Sequence, residues 1–266
     1  MRIFSSRSGI TNKDMSIKLT RAVKAILILC FALFVIQQTA DRFLGGNIIS
    51  WLGLVPSNFV IDHRFWQLFT YSFLHADVLH LFLNLLMLVF IGGELEAVWG
   101  IGRFLRYYFF CSVSAGILYL LLQIFIWKGE GLHTPMVGAS GAIYGLLLAY
   151  GIIFGERVLL FMLLFPMKAK HFVWILGGVE FFSTVFSGRG GLSSAAHLGG
   201  MVAGLAYLWV RASVQIAKKH RENRSKFDRS KPKKRKSHLK LIIDNERDLN
   251  KYIEEDNPDD SPKTWH

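Results

Sequence analysis

Apolar residues along this chain fall into six long blocks that carry almost no charge. The blocks cover residues 25–40, 65–93, 107–127, 131–155, 171–188 and 190–210. A helix needs about 20 predominantly apolar residues in a row to cross the hydrocarbon core of a bilayer. The pattern therefore predicts an all-α membrane protein, a bundle of six transmembrane helices.

Composition and charge placement agree with this prediction. The chain is 52% hydrophobic and only 19% charged, whereas soluble domains carry about 25% charged residues. The net charge of +12 would suit a nucleic-acid partner, but with six spans 27 of the 31 Lys and Arg residues lie on the side of the two termini. Such a bias marks the cytoplasmic side of membrane proteins. We therefore predict cytoplasmic termini and no nucleic-acid partner.

The charge pattern also divides the chain into three parts. Residues 1–20 form a basic cytoplasmic lead, residues 21–212 the six-span core, and residues 213–266 a charged cytoplasmic tail. The tail is strongly basic up to residue 240 and mainly acidic over residues 244–260. Blocks of like charge are typical of solvated, flexible segments, and the basic block is suited to rest on anionic lipid headgroups.

Shorter segments between the blocks add detail. Residues 41–66 are rich in tryptophan and other apolar residues, which predicts an outer loop in the membrane interface. Residues 158–166 are apolar but too few to span a bilayer, so we interpret them as a cytoplasmic interfacial stretch whose role stays open. Cys30 and Cys111 lie inside apolar blocks and are predicted to be buried structural thiols.

Polar side chains are costly inside a membrane span and tend to mark functional sites. Ser140 stands in the run Gly138-Ala139-Ser140-Gly141, where small neighbours leave its hydroxyl accessible and free the N–H groups at the start of a helix for a developing negative charge. A serine hydroxyl needs a base within hydrogen-bond reach. His197 is the best candidate, because both residues lie near the outer start of spans that run inward.

The residues around this pair support the same arrangement. Tyr144 follows Ser140 by four positions and so shares its helix face, where we expect it to stack on His197. The glycines Gly141 and Gly145 are four apart, as are Gly200 and Gly204. This spacing favours close packing of membrane helices.

Span two contributes a second polar face. His80 and Asn84 are four residues apart, and both are able to donate hydrogen bonds to an oxyanion. No acidic third member is evident from the sequence, since Glu180 and Asp77 are the carboxylates inside spans, so a Ser-His dyad is the simpler prediction. We expect Glu180 to have a structural or interface role, with a gating role left open, and His75 to be hydrogen-bonded to the outer loop.

Taken together, these motifs resemble the rhomboid family of intramembrane serine proteases. The resemblance covers about residues 20–212, with five stretches in the family order. They are Trp66-Gln67-Leu68-Phe69-Thr70-Tyr71-Ser72-Phe73-Leu74-His75, His80-Leu81-Phe82-Leu83-Asn84, Gly92-Gly93-Glu94-Leu95-Glu96, Gly138-Ala139-Ser140-Gly141 and Ala196-His197-Leu198-Gly199-Gly200.

The resemblance implies Ser140 as nucleophile, His197 as base, and His80 and Asn84 as groups beside the oxyanion. It also implies a water-filled cavity open to the outer face, no cofactor or metal, and single-span membrane proteins as substrates, entering past span five and the loop at residues 188–193. The family often has Trp-Arg where this chain has Trp66-Gln67, a departure that concerns the outer loop. Loop sizes favour a bacterial plasma membrane.

Two other functions fit parts of the pattern. A non-enzymatic relative would bind and escort membrane helices, although such relatives typically lack the serine or the histidine. A transporter or channel would line a pore with His80, Asn84, Ser140 and Glu180. A zinc protease is disfavoured because the chain has no His-Glu-x-x-His motif. The sequence names neither the substrate nor the oligomeric state.

Overall fold

The structure, a computed structural model, describes residues 18–126, 131–161, 165–187 and 191–230. These residues form a mainly helical chain, as the apolar pattern predicts. The helices are α1 (Arg21–Phe43), α2 (Ile48–Leu52), α3 (Pro56–Val60), α4 (Gln67–Thr70), α5 (Val78–Met87), α6 (Gly93–Trp99), α7 (Ile101–Leu121), α8 (Ser140–Ile153), α9 (Ala169–Phe186) and α10 (Leu192–Ser230). The strands are β1 (Val158–Phe161) and β2 (Phe165–Lys168), and a 3₁₀ turn covers Tyr71–Phe73.

Two π-helical turns lengthen the membrane helices. Residues Leu88–Gly92 join α5 to α6, and Leu122–Ile126 extend α7. Four segments are then long and apolar enough to cross a membrane, namely Arg21–Phe43, Val78–Trp99, Ile101–Ile126 and Leu192–Arg224. The helices α8 and α9 occupy the remaining two predicted blocks. With 14 residues, α8 is about 21 Å long at 1.5 Å per residue.

A β-hairpin is a departure from the all-helical prediction among the described residues. Residues 158–166, which we predicted as an interfacial stretch, contain β1 and the first half of β2. The strands pair antiparallel, with Val158 opposite Lys168 and Phe161 opposite Phe165. A segment too short for a spanning helix satisfies its backbone groups by pairing with itself. The turn at residues 162–164 lies outside the described residues.

The core is centred on α7 and α8. The largest fully buried side chains there include Tyr107, Tyr108 and Phe104 from α7 and Tyr150 from α8. Cys30 and Cys111 are buried and free, as predicted. Because the middle of the bundle is filled by aromatic rings, the polar groups of the spans are displaced toward the two ends of α8.

At the C-terminal end of α8, two carboxylates of α6 fasten the surrounding elements. Glu96 accepts hydrogen bonds from the backbone N–H groups of Ala22 and Val23, each at 3.0 Å, and so caps the start of α1. Glu94 is buried and accepts a bond of 2.8 Å from the hydroxyl of Tyr150. Its second partner is Arg157, which follows α8. These contacts tie α1, α6 and α8 together.

Gln67 organises the loop that contains α2 to α4. Its side chain is fully buried; the amide nitrogen donates to the carbonyl of Ser50 at 2.8 Å, and the amide oxygen accepts from the N–H of Val55 at 3.1 Å. Nearby, Trp51 and Trp66 are exposed. The position at which the family often has arginine, Gln67 in this chain, thus lies in this loop. Its neutral amide makes hydrogen bonds to two separate stretches of backbone.

Several predicted segments lie wholly or partly outside the described residues: the lead at residues 1–17, the loop residues 188–190 and the tail from residue 231. The chain divides after Ile216 into two units. The described part of the second unit is the continuation of α10 to Ser230. That helix extends beyond residue 212, where we predicted the core to end.

Candidate active site

The structure brings Ser140 and His197 together although they are far apart in sequence. Ser140 is the first residue of α8, and His197 lies in the second turn of α10. The Nε2 atom of His197 is 2.7 Å from the Oγ atom of Ser140, which is hydrogen-bond distance. Both side chains are partly exposed. The pair therefore has the geometry of a hydroxyl next to a base that is accessible to reactants.

Glycines allow the two helices to approach this closely. A Cβ atom on Gly200 would overlap the carbonyl oxygen of Gly141, and one on Gly145 would lie 3.1 Å from the carbonyl oxygen of Gly200. Gly141 also packs against α7, where a Cβ would lie 2.6 Å from that of Ala115. Gly204 instead faces Tyr107 of α7. The α8–α10 spacing thus depends chiefly on Gly200, whereas Gly141 and Gly145 lie closest to α7.

The ring of Tyr144 lies on the ring of His197. Their centroids are 4.4 Å apart and their planes differ by 9°, an arrangement in which the two rings restrict each other's rotation. Tyr144 is one helical turn after Ser140, so α8 supplies both the hydroxyl and the platform under the imidazole.

Glu180 of α9 also reaches His197, and the sequence analysis missed this contact. Its Oε1 atom is 3.0 Å from Nδ1 of His197 and accepts a hydrogen bond from the hydroxyl of Tyr144. The residue is 7% exposed. A carboxylate, an imidazole and a hydroxyl therefore form a continuous chain of hydrogen bonds from Glu180 to Ser140.

A signal for Glu180 is present in the sequence. The helices α9 and α10 are joined by a short connection, so residues at equal distances from that connection lie at similar depth. Glu180 precedes the end of α9 by six residues, and His197 follows the start of α10 by five. Spacing along such a hairpin places the two residues at similar depth, but it does not indicate which face of α9 is turned toward α10.

Because Gly138 has no side chain, the ring of His80 is able to lie close to Ser140. The φ angle of Gly138 is +122°, and a Cβ there would lie 2.8 Å from Cε1 and 2.9 Å from Nε2 of the His80 ring. Only glycine is suited to such a position. The N–H of Gly138 donates to the carbonyl of Tyr71 at 2.9 Å. Gly138 therefore contributes space beside Ser140, while its N–H is already engaged.

His80 is held by the start of α5. Its N–H donates to the side chain of Asp77, the N-cap residue, at 2.8 Å. Its Nδ1 atom lies 3.5 Å from the N–H of Ala76, which favours Nδ1 as acceptor and leaves the proton on Nε2, next to Gly138. The ring is thus presented toward Ser140.

Asn84 is less directly connected to the pair. It is buried, and its amide nitrogen donates to the carbonyl of His80 at 2.8 Å. Among the described residues, its side chain has no hydrogen bond to Ser140 or His197. The prediction of Asn84 as an oxyanion donor therefore has weaker geometric support than that of His80.

We expected His75 to be hydrogen-bonded to the outer loop, and for its ring this expectation is wrong. Neither ring nitrogen has a hydrogen-bond partner among the described residues, and the ring contacts His80 edge-on with centroids 5.2 Å apart. Its backbone carbonyl accepts from Gln37 of α1 at 2.9 Å. His75 is therefore bound through its backbone to α1 rather than through its ring to the outer loop.

The chemistry available at this site is that of a nucleophile, a base and donors for a negative charge. Ser140 opens α8, where the first N–H groups have no acceptor within the helix and the helix dipole favours an anion. Across the part of the chain that the structure describes, no group of three or more His, Cys, Asp or Glu residues is arranged to hold a metal ion.

Comparisons with known proteins identify the family of this chain. A family model described as "Rhomboid domain" matches residues 62–214. The Rhomboid protease GlpG of Yersinia enterocolitica is 26% identical over 187 residues, covering 68% of this chain and 59% of the relative. The Rhomboid protease GlpG of Klebsiella pneumoniae is 27% identical over 201 residues, covering 70% of this chain and 61% of the relative. The match thus spans about three fifths of each relative's length.

Proposed function

This chain belongs to the rhomboid family, and from that premise we propose that it is an intramembrane serine endopeptidase. It is an integral membrane protein, and the described residues include four helices long and apolar enough to span a bilayer. Ser140 is the nucleophile, and His197 is the base that activates it. The single observation that carries the proposal is the distance of 2.7 Å between His197 Nε2 and Ser140 Oγ.

The reaction follows from that contact. Ser140 Oγ bonds to the carbonyl carbon of the scissile peptide while its proton passes to His197 Nε2. The same proton then goes to the leaving nitrogen as the peptide bond breaks, which leaves an acyl-enzyme. A water molecule, deprotonated by His197, then attacks the ester. As the bond between Oγ and the acyl carbon breaks, His197 returns the proton to Ser140 Oγ and the second product leaves as a carboxylic acid. Tyr144 supports this cycle by keeping the imidazole ring in place.

The negative charge of the tetrahedral intermediate needs donors nearby. We assign this role to His80, whose ring lies beside Ser140 at Gly138, together with the N-terminal N–H groups of α8. Asn84 donates one amide hydrogen to the His80 carbonyl. We assign its second amide hydrogen to the oxyanion. Gly138 keeps the space between His80 and the serine free of a side chain, and Gly141 lets the start of α8 pack against α7.

We place the reaction below the membrane surface. The helix α8 starts only at Ser140, although the apolar block starts at residue 131. Non-helical backbone at membrane depth is tolerated where it is buried in protein or lines an aqueous cavity. Water therefore reaches Ser140 through a cavity, which opens to the outer face if the basic termini are cytoplasmic.

The proposal includes six spans within residues 21–212, a cytoplasmic lead and tail, and a bacterial plasma membrane as the location. The relatives named proteases support peptide bonds as the substrate class. The family resemblance implies single-span membrane proteins that enter past span five, and these are the substrates we propose. The basic part of the tail lies near anionic headgroups.

The test uses the full chain in detergent with a single-span reporter substrate. We expect cleavage by the wild type and none by Ser140→Ala, since loss of a serine nucleophile lowers kcat by about 10⁶-fold. A fluorophosphonate probe should label the wild type and leave Ser140→Ala unlabelled. Glu156→Gln, which alters an exposed carboxylate outside the site, is the matched control and should behave as the wild type. Full activity in Ser140→Ala would refute the assignment.

A further inference from the structure

Glu180 is a buried carboxylate on an otherwise apolar stretch of helix. The neighbouring side chains Val179, Phe181 and Phe182 are all more than half exposed, whereas Glu180 is 7% exposed. An ionisable group in a membrane span is costly unless it has partners. The partners of the Glu180 carboxylate are Tyr144 on α8 and, on α10, His197 and Ser194. Its buried position is therefore explained by contacts with these two helices.

The carboxylate restricts the proton arrangement of His197. An ionised carboxylate only accepts hydrogen bonds, so its Oε1, at 3.0 Å from Nδ1 of His197, requires a proton on Nδ1. The neutral imidazole then carries its lone pair on Nε2, which faces the Ser140 hydroxyl at 2.7 Å. This is the tautomer that a general base needs in order to take the serine proton.

We propose that Glu180 is a positioning residue that holds His197 in this tautomer and orientation, so that the site works as a Ser-His-Glu triad. The inference rests on the proposed protease function and deepens it. While Ser140 bonds to the substrate carbon, its proton moves to Nε2, and the resulting imidazolium lies between the serine oxygen and the Glu180 carboxylate. The carboxylate stays ionised and stabilises that positive charge until the proton passes to the leaving nitrogen.

A purely structural role gives different expectations. In that case Glu180 only fastens α9 to α8 through the hydroxyl of Tyr144, and its loss would lower stability and the folded fraction. A positioning role acts on the chemical step, so it changes kcat while KM stays within about twofold. The two roles are separated by variants that keep the size or the charge of the side chain.

Glu180→Gln keeps the size, is still able to accept from Tyr144, and removes the charge. We expect kcat to fall by about 10²- to 10⁴-fold, the upper value being that for replacing the acid of a serine protease triad. Glu180→Asp restores the charge on a shorter side chain and should exceed Glu180→Gln in kcat by about tenfold or more. The fluorophosphonate probe should label Glu180→Gln slowly but completely, since Ser140 remains accessible.

Ser140→Ala gives the background cleavage rate of the assay. Glu156→Gln controls for the loss of one negative charge far from the site. Wild-type kcat in Glu180→Gln, or a loss that matches its folded fraction, would overturn the positioning role. So would equal rates for the Asp and Gln variants. A wild type that neither cleaves the reporter nor reacts with the probe refutes the protease function itself, which distinguishes the two failures.

Discussion

The two ends of α8 are built alike and differ in one partner. At its N-terminal end, Tyr144 donates to the buried Glu180 of α9; at its C-terminal end, Tyr150 donates to the buried Glu94 of α6. The basic partner of Glu180 is His197, while that of Glu94 is Arg157. Both ends thus combine a tyrosine, a carboxylate and a basic side chain drawn from separate elements.

The difference between the basic partners explains the difference in role. An arginine guanidinium has no lone pair with which to accept a proton, so the Glu94–Arg157 pair serves to hold elements together. A neutral imidazole has a lone pair on one ring nitrogen, so His197, with Glu180 at Nδ1, presents Nε2 for proton transfer with Ser140. The same construction therefore braces one end of the helix and supports chemistry at the other.

The largest effect is expected on kcat, when the contacts at the N-terminal end of α8 are removed. His197→Ala removes the proposed base and should lower kcat by about 10⁴-fold or more. The side chain is only 18% exposed and pairs with Glu180, so the variant should also lose stability, and kcat is measured per folded molecule. Cleavage of a single-span reporter and thermal unfolding in detergent check both points. A variant that keeps a tenth of the wild-type rate would contradict the assignment of His197.

Breaking the C-terminal end should act on stability instead. Glu94→Ala leaves Arg157 and Tyr150 without their acceptor; loss of one partner from a buried ion pair costs about 3–5 kcal/mol. We expect the lower value, because the Arg157 side chain is 19% exposed. Unfolding measurements in detergent test this, with Tyr150→Phe as a milder control at about 1 kcal/mol. A kcat per folded molecule far below that of the wild type would show that the two ends are not separable.

The spacing between α8 and α10 connects stability to chemistry. In Gly200→Ala the added methyl group would overlap the carbonyl of Gly141, and overpacking of this kind costs about 1–3 kcal/mol. A shift of about 1 Å between Ser140 and His197 would lower the rate by about 10²-fold. Gly178→Ala is the matched control, since its Cβ would meet nothing within 4 Å. Equal behaviour of the two variants would argue against glycine-dependent packing.

The smallest effect is expected at an exposed site beyond the C-terminal end of α8. Hydrogen bonds from Lys168 and Lys170 lower the pKa of Glu156 from 4.5 to about 2. A carboxyl whose pKa is lower in the folded state than in the unfolded state stabilises the fold at pH values above its unfolded-state pKa. That contribution is lost as the pH falls toward the folded-state pKa. Stability should therefore decline between about pH 4.5 and pH 2 through this group.

Glu156→Gln removes that contribution, so the difference in melting temperature between wild type and variant should vanish toward pH 2. The effect is small because the carboxylate is exposed and screened by solvent. A difference that grows as the pH falls would contradict the proposed pairing.

Much of the fold was predictable because a bilayer imposes a simple rule on length and polarity. The blocks at residues 25–40 and 107–127 coincide with parts of α1 and α7. The hairpin of β1 and β2 was not predicted, since a short apolar run has no periodicity that separates strand from helix. The start of α8 at Ser140, inside an apolar block, also depends on the packing of the preceding loop.

The residues of the site also divide into those that the sequence predicted and those that it did not. Ser140 and His197 were identified from short motifs, because glycine-flanked serine and histidine in membrane spans are unusual and chemically meaningful. Glu180 was recognised as unusual but was not assigned to His197. Its role depends on which face of α9 is turned toward α10, and the apolar residues on both sides of Glu180 give no indication of that face.

The sequence by itself determined the membrane class, the candidate nucleophile and base, and the glycines that let their helices meet, because these follow from residue type and spacing within single segments. The tertiary structure alone decided which carboxylate faces each basic side chain. That pairing depends on the rotation and depth of α6, α8, α9 and α10 relative to one another, and packing of the whole bundle sets both.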